Sequence, residues 1–331
     1  MDERRTLRTD GGDDPTGASG DGDPTEDAGT PGDPVPTEGA GPVDERTALA
    51  LLGAELPAAG DDAAVVGDQV LTTDMLHETT DFPPGTTHYT AGWRAVGASL
   101  SDVAAMGARA SAAVAVYAVP EFQVDRLRAF VAGARDVCEA VDAEYVGGDL
   151  DDHAEFTVAT TALGETDDPV RRSGASPGEA VVVSGTLGRS GAAVRAFERG
   201  DHERGNELFQ FTPRVAAGRA LAPAAGAMMD SSDGLARSLH QLAEASDCGF
   251  AVEWDRLPVD PAVEEEAADA TDRRELAAFF GEDFELVATL PPDRVESVRR
   301  QTDTALTVVG EVTESGVTVD GEPLPDRGYT H

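Results

Sequence analysis

Five short stretches place carboxylates where an apolar run meets a turn or a helix. AMMDSSDGLARSL, residues 227–239, sets Asp230 and Asp233 around Ser231 and Ser232. AAGDDAAVV puts Asp61 and Asp62 after Gly60, and VLTTDM ends a strand-like run with Thr72, Thr73 and Asp74. SLSDVAAMGA carries Asp102 inside an apolar helical stretch, and VGGDLDD places Asp149 behind Gly147 and Gly148. Each alone has an ordinary explanation, since Ser or Asp caps helix N-termini and Gly-Asp pairs make turns. Capping accounts for only one of the four polar residues at 230–233, with Ser232 or Asp233 as the expected cap. An unpaired Asp102 would be costly to bury in its apolar run. Carboxylates gathered at strand ends are the hard oxygen ligands that Mg²⁺ takes together with substrate phosphates. From these residues alone a shared metal site and a scatter of caps and turns both stand.

Composition narrows the chemistry. The chain has 331 residues, with 63 Asp and Glu against 25 basic residues, a net charge of −38. Every basic residue is arginine, and there is no lysine. An acidic surface, arginine without lysine and few aromatics together suggest adaptation to very high salt, where self-repulsion is screened and acidic side chains aid solubility. The lack of a basic patch argues against nucleic acid as a partner. A phosphate-binding loop of the GxxxxGK[ST] type and a protein-kinase ATP lysine are excluded outright. If the protein handles phosphates, then metals, arginines and backbone N–H groups must hold them. The two cysteines, Cys138 and Cys248, have neither zinc nor disulfide spacing. No apolar run reaches membrane-spanning length, so the expectation is a soluble, cytoplasmic protein with no membrane partner.

The elements that would position these residues follow from periodicity. Residues 1–43 are rich in Gly, Asp, Pro, Thr and Glu and are expected to be disordered; the opening MDERRTL is echoed by VDERTAL at 43–49. From Asp44 the pattern is globular. Helices are expected at 44–52, 88–107, 124–141, 188–199 and 213–222 and from Ser232, with strands through AAVV, VLTTD, SAAVAVYAV, EYVGGD, EFTVATTALGE, AVVVSG, AMMD, FAVEW, FELVATL and ALTVVGEV. The turn-rich TDDPVRRSGASPGE marks a boundary, giving expected domains at 44–166 and 167–331. Both halves mix helix and strand, an α/β architecture in each.

GDDAAVV, TTD, SLSDVAAMGA, GGD, RRSGASPGE, DSSDGL, GEDFEL and a terminal GYTH occur in the order and approximate spacing of thiamine-monophosphate kinase. The resemblance covers Asp44 to His331. It implies a two-domain fold like that of aminoimidazole ribonucleotide synthetase, shared with selenophosphate synthetase and a hydrogenase-maturation protein. Strands of the N-terminal domains from two subunits would close a barrel, making a homodimer. The implied reaction moves the γ-phosphoryl of ATP to thiamine monophosphate. Its nucleophile is an already ionised phosphate oxygen, so no general base is nominated, and several Mg²⁺ ions would offset phosphate repulsion.

Carried over residue by residue, Asp62, Thr72, Thr73, Asp74, Asp102, Asp149, Asp230 and Asp233 resemble the metal-binding set, with Asp61 a further candidate. Gly148, Asp149, Arg172 and Ser232 match ATP contacts. Asp81, Glu282 and Asp326 stand at substrate-contacting positions, and two of them depart from the family. Asp81 occupies a place commonly held by histidine, and Asp326 one often held by an aromatic residue, leaving Tyr329 or Phe82 to stack on the thiamine rings. A third departure, Phe280, replaces the first glycine of the family's GGED. Two other readings remain open: a related ATP-dependent enzyme with another small phosphorylated substrate, and a non-catalytic acidic module binding Ca²⁺ or a partner.

Overall fold

The computed structural model describes residues 51–53, 55, 56 and 58–329; the expected disordered segment 1–43, and all but the end of the helix expected from Asp44, lie outside them. β1 (Ala64–Val66) and β2 (Gln69–His77) make an antiparallel hairpin. A short α1 (Glu78–Asp81) leads to α2 (His88–Ala105), whose Thr87 cap accepts the N–H of Thr90. Then come β3 (Arg109–Val119), α3 (Val124–Glu139), β4 (Glu144–Asp152) and β5 (Thr157–Glu165). The five strands form one sheet in the order β1-β2-β5-β3-β4, antiparallel except for β3 and β4, which α3 joins as a crossover.

The second sheet begins with β6 (Ala180–Ser184). After α4 (Arg189–Glu198), α5 (His202–Phe209) and α6 (Val215–Leu221), the chain enters β7 (Met228–Asp230), α7 (Leu235–Ser246) and β8 (Gly249–Val252). Short helices separate β8 from β9 (Leu286–Leu290), and β10 (Leu306–Thr313), β11 (Val317–Val319) and β12 (Glu322–Pro323) complete seven strands in the order β12-β11-β8-β10-β6-β9-β7. β6 and β9 are buried at every position, which is why they read as mostly apolar runs rather than as alternation.

Alternation along β2 decides which side chains meet. Val70, Thr72, Asp74 and Leu76 face inward toward α2, while Leu71, Thr73 and Met75 face out. The outward row continues across the register, with Met75 opposite Ala159 and Ala159 opposite Val116. Leu71, Met75 and Val116 are 43%, 58% and 39% exposed, giving this sheet an uncovered apolar face.

Two sequence expectations shift. The helix expected from Ser232 begins at Leu235, with Gly234 in the N-cap place at φ 97° and no side-chain cap. None of Asp230 to Asp233 is therefore a cap. The eight-residue α5, capped by Asp201, is an element the periodicity did not show.

Candidate active site

The inner face of β2, the C-terminal half of α2 and the end of β7 converge on one group of carboxylates. One ligand oxygen from each of Asp62, Asp102 and Asp230 lies within 4.8 Å of the others. Thr72 donates to Asp102 Oδ2 at 2.5 Å, and Asp74, two residues along the same face, accepts from Ser99 Oγ at 2.5 Å. Asp230 Oδ2 is buried without a hydrogen-bond partner, while Oδ1 accepts from the N–H of Ser232 at 3.4 Å. Burial and then the neighbouring Asp62 push Asp230 up to about 7, against the nearby Ser101 hydroxyl and Arg172. Burial, followed by Asp74, Asp230 and Asp62, drives Asp102 well above the ordinary carboxylate range, against the hydrogen bond from Thr72.

A carboxylate group desolvated and repelled in this way needs a counter-charge. Arg172 supplies part of it, with Nε 3.2 Å from Asp62 Oδ2 and a terminal nitrogen 3.1 Å from Asp62 Oδ1. Burial works against the arginine's charge, but Asp62, Asp230 and Asp102 outweigh it and raise its pKa. One guanidinium facing three carboxylates, with an orphaned oxygen between them, is a donor set that fits a hard divalent cation.

The expected metal-binding set is only partly assembled here. Thr73 faces the other side of the sheet, where its hydroxyl donates to the carbonyl of Thr160 at 2.8 Å. Asp149 is exposed on the edge strand β4 opposite Val116, and its Oδ1 turns back to the N–H of Leu150. Period-two alternation separates Thr73 from its neighbours, and three strand spacings separate Asp149 from β2, roughly 14 Å. Gly148 owes its presence to packing, since a Cβ there would stand 1.7 Å from the carbonyl oxygen of Ala115. Asp61 holds the guanidinium of Arg171 at 2.5 Å and the N–H of Arg172 at 2.9 Å, so it anchors the arginine segment. Asp233 is half-buried ahead of α7, and its carbonyl accepts the N–H of Tyr329.

GEDFEL lies against the same junction. The N–H of Glu282 donates to the carbonyl of Ser232 at 2.5 Å, and both Glu282 (φ 62°) and Phe284 (φ 54°) take the left-handed conformation unusual for residues with side chains. Each acid of this stretch has its own task. Glu282 pairs with Arg94 at 2.7 Å. Asp283 accepts the N–H groups of Gly188 and Ser190 at the start of α4, and burial pushes it up to about 7 against those two bonds. Glu285 clamps Arg214 with both oxygens and accepts from Ser184.

Of the remaining expected substrate residues, Tyr329 stands near Glu282 and Asp81. Asp81 is buried and accepts from the N–H of His77 and the hydroxyl of Thr80, both at 2.7 Å. Asp326 is paired with Arg237 at 2.6 Å. Tyr329 lies beside Phe280, ring centroids 6.0 Å apart, and burial, then Glu282 and Asp81, push its hydroxyl up to about 12. Phe82 instead stacks on Phe156 within the N-terminal core. Sequence reading missed Arg94, Ser99 and Arg237; only Arg94 left a trace, as the one charge in the apolar run GWRAVGASL.

The family descriptions "AIR synthase related protein, N-terminal domain" and "AIR synthase related protein, C-terminal domain" match residues 60–166 and 176–321. The thiamine-monophosphate kinase of Halobacterium salinarum is 64% identical over 87% of this chain and 100% of its own length. The chain belongs to the thiamine-monophosphate kinase family. The family's counterpart in Methanospirillum hungatei is 38% identical over 82% of this chain and 92% of its own. The solved structure of AaThiL complexed with AMPPCP and TMP superposes with a TM-score of 0.79 at 30% identity, covering 87% of this chain and 96% of that one. These likenesses bear out the two-domain, mixed α and β thiamine-monophosphate kinase fold read from the motifs.

Proposed function

We propose that the chain transfers the γ-phosphoryl group of ATP to thiamine monophosphate, forming thiamine diphosphate and ADP. The observation that carries this reading is the buried group Asp62–Asp102–Asp230, with Asp230 Oδ2 unpartnered, beside Arg172 in a chain without lysine. The likeness to AaThiL complexed with AMPPCP and TMP supports an ATP-like nucleotide and thiamine monophosphate as the two ligands.

Asp62, Asp102 and Asp230 would hold Mg²⁺, with Thr72, Asp74 and Asp233 around them. Bound there, the cation would offset the charge on the phosphate oxygens as the two substrates approach in line. Arg172, freed from Asp62, would reach the nucleotide, and Ser232 would offer a second contact. Thr73, on the outer face of β2, and Gly148 and Asp149, on the edge strand β4, would act only from outside this group. Glu282 and Asp81 bring two carboxylates to the side where the cationic thiamine ring is expected, with Tyr329 and Phe280 as the aromatic wall. Asp326, held by Arg237, would line that wall's rim. We place the division between the two domains near Asp167 and the enzyme in the cytoplasm; among the described residues no helix is long and apolar enough to cross a membrane.

Offered thiamine monophosphate and an aminoimidazole-pathway substrate in separate reactions with Mg²⁺ and ATP, the protein should release ADP only with the first. ADP release with the second alone would move the assignment to another branch of the superfamily.

The uncovered apolar face of the N-terminal sheet supports a homodimer in which two such sheets close a barrel. Exposed Leu71, Met75 and Val116 on one face are costly to leave in water, and more so in strong salt. Met75→Asp should convert a dimer into a monomer in sedimentation runs in molar salt. An unchanged sedimentation coefficient would remove this face from the interface.

A further inference from the structure

Arg94 is fully buried on α2, the helix that also carries Asp102. One terminal nitrogen donates to the carbonyl of Phe209 at 2.9 Å. The other donates to Glu282 twice, to the carboxylate Oε2 at 2.7 Å and to the backbone carbonyl at 3.0 Å. Ser190 Oγ lies 3.3 Å from both and itself donates to the Glu282 carbonyl at 2.6 Å. The guanidinium rests on the ring of Phe209, 3.6 Å from its centroid. Its Nε has no partner.

Burying an arginine this deeply is expensive, and an apolar side chain would fill the space at lower cost. The bonds show what the charge is for, since two of them fix one residue that the backbone already holds in a left-handed conformation. We propose that Arg94 is a positioning residue for thiamine monophosphate: it holds Oε2 of Glu282 and leaves Oε1 to meet the substrate's cationic, hydrogen-bond-donating rings. This rests on the functional reading above. Arg94 and Asp102 are eight residues apart on one helix, about 12 Å. A single rigid element therefore sets the distance between the metal-binding group and the carboxylate that receives the thiamine moiety, and so between the transferring and accepting phosphates.

The test compares Arg94→Met, Arg94→Lys, Glu282→Gln and the double variant Arg94→Met/Glu282→Gln as full-length protein in high salt. Arg94→Met should raise KM for thiamine monophosphate by at least about tenfold and leave KM for ATP within about twofold, because misorientation of one contact penalises the substrate it touches. Arg94→Lys should recover most of that loss. The double variant should be no worse than Glu282→Gln alone, the signature of two residues acting through one contact. Equal rises in both KM values, or a fall in thermal stability with KM unchanged, would make Arg94 only a core staple and overturn the proposal. If the unmutated protein folds yet forms no thiamine diphosphate, the functional reading fails. The crystal structure of Arg94→Met then decides the positioning role: a displaced Glu282 carboxylate upholds it and an unmoved one overturns it.

Discussion

Asp230→Asn removes magnesium-dependent turnover while leaving the metal-free fold at least as stable as the parent. The carboxylate is buried, repelled by Asp62, and pushed up to about 7 by burial first and that neighbour second. Asparagine keeps an oxygen to accept the Ser232 N–H and removes a negative charge from a group that repels itself. It also removes the only oxygen of the three candidate ligands that is buried without a partner. Loss of a charged ligand from a phosphoryl-transfer site should lower kcat by roughly 10³-fold or more. Thermal unfolding in the presence of a chelator should show an unchanged or raised Tm, and added Mg²⁺ should no longer shift it. A strongly lowered Tm with residual activity would make the Asp230 junction structural.

Gly281→Ala should be strongly damaging for a single added methyl. Gly281 has φ 80°, and a Cβ there would stand 2.5 Å from the Ser232 carbonyl oxygen, 2.8 Å from the carbonyl carbon of Asp233 and 2.9 Å from the N–H of Gly234. All three are backbone atoms, so no side chain can swing away. The only relief is separation of GEDFEL from DSSDG, which breaks the 2.5 Å bond from Glu282 N–H to Ser232 and shifts Glu282 off Arg94. Left-handed strain and overpacking together predict a loss of about 2–4 kcal/mol. Urea unfolding measures this, and turnover of thiamine monophosphate should fall about 10²-fold in step with it. A variant of parental stability and activity would show that the two segments do not need this contact distance.

The family and its fold were legible because the carboxylates stand in short, ordered motifs joined by elements of clear periodicity. DSSDG illustrates both the reach and the limit of such reading. Its position at a strand end was visible, with Ser232 or Asp233 expected to cap the helix, but the helix starts only after Gly234, releasing both from that duty. TTD shows the limit more sharply. Three neighbouring residues seemed one donor group, yet β-strand alternation sends Thr72 and Asp74 to α2 and Thr73 to the opposite face. The partners of the site acids were hidden for a different reason. Arg94 and Glu282 are 188 residues apart, and Arg172 and Asp62 are 110 apart. Nothing local in a chain marks which distant charge will neutralise a buried one.

The most direct measurement is formation of thiamine diphosphate from ATP and thiamine monophosphate in molar salt, with Mg²⁺ and, in a parallel reaction, with a chelator. The predicted result is one thiamine diphosphate for each ADP with Mg²⁺, and no product once the cation is withdrawn. Folded protein that forms no thiamine diphosphate with Mg²⁺ present, or that forms it equally well with the chelator, would contradict the account.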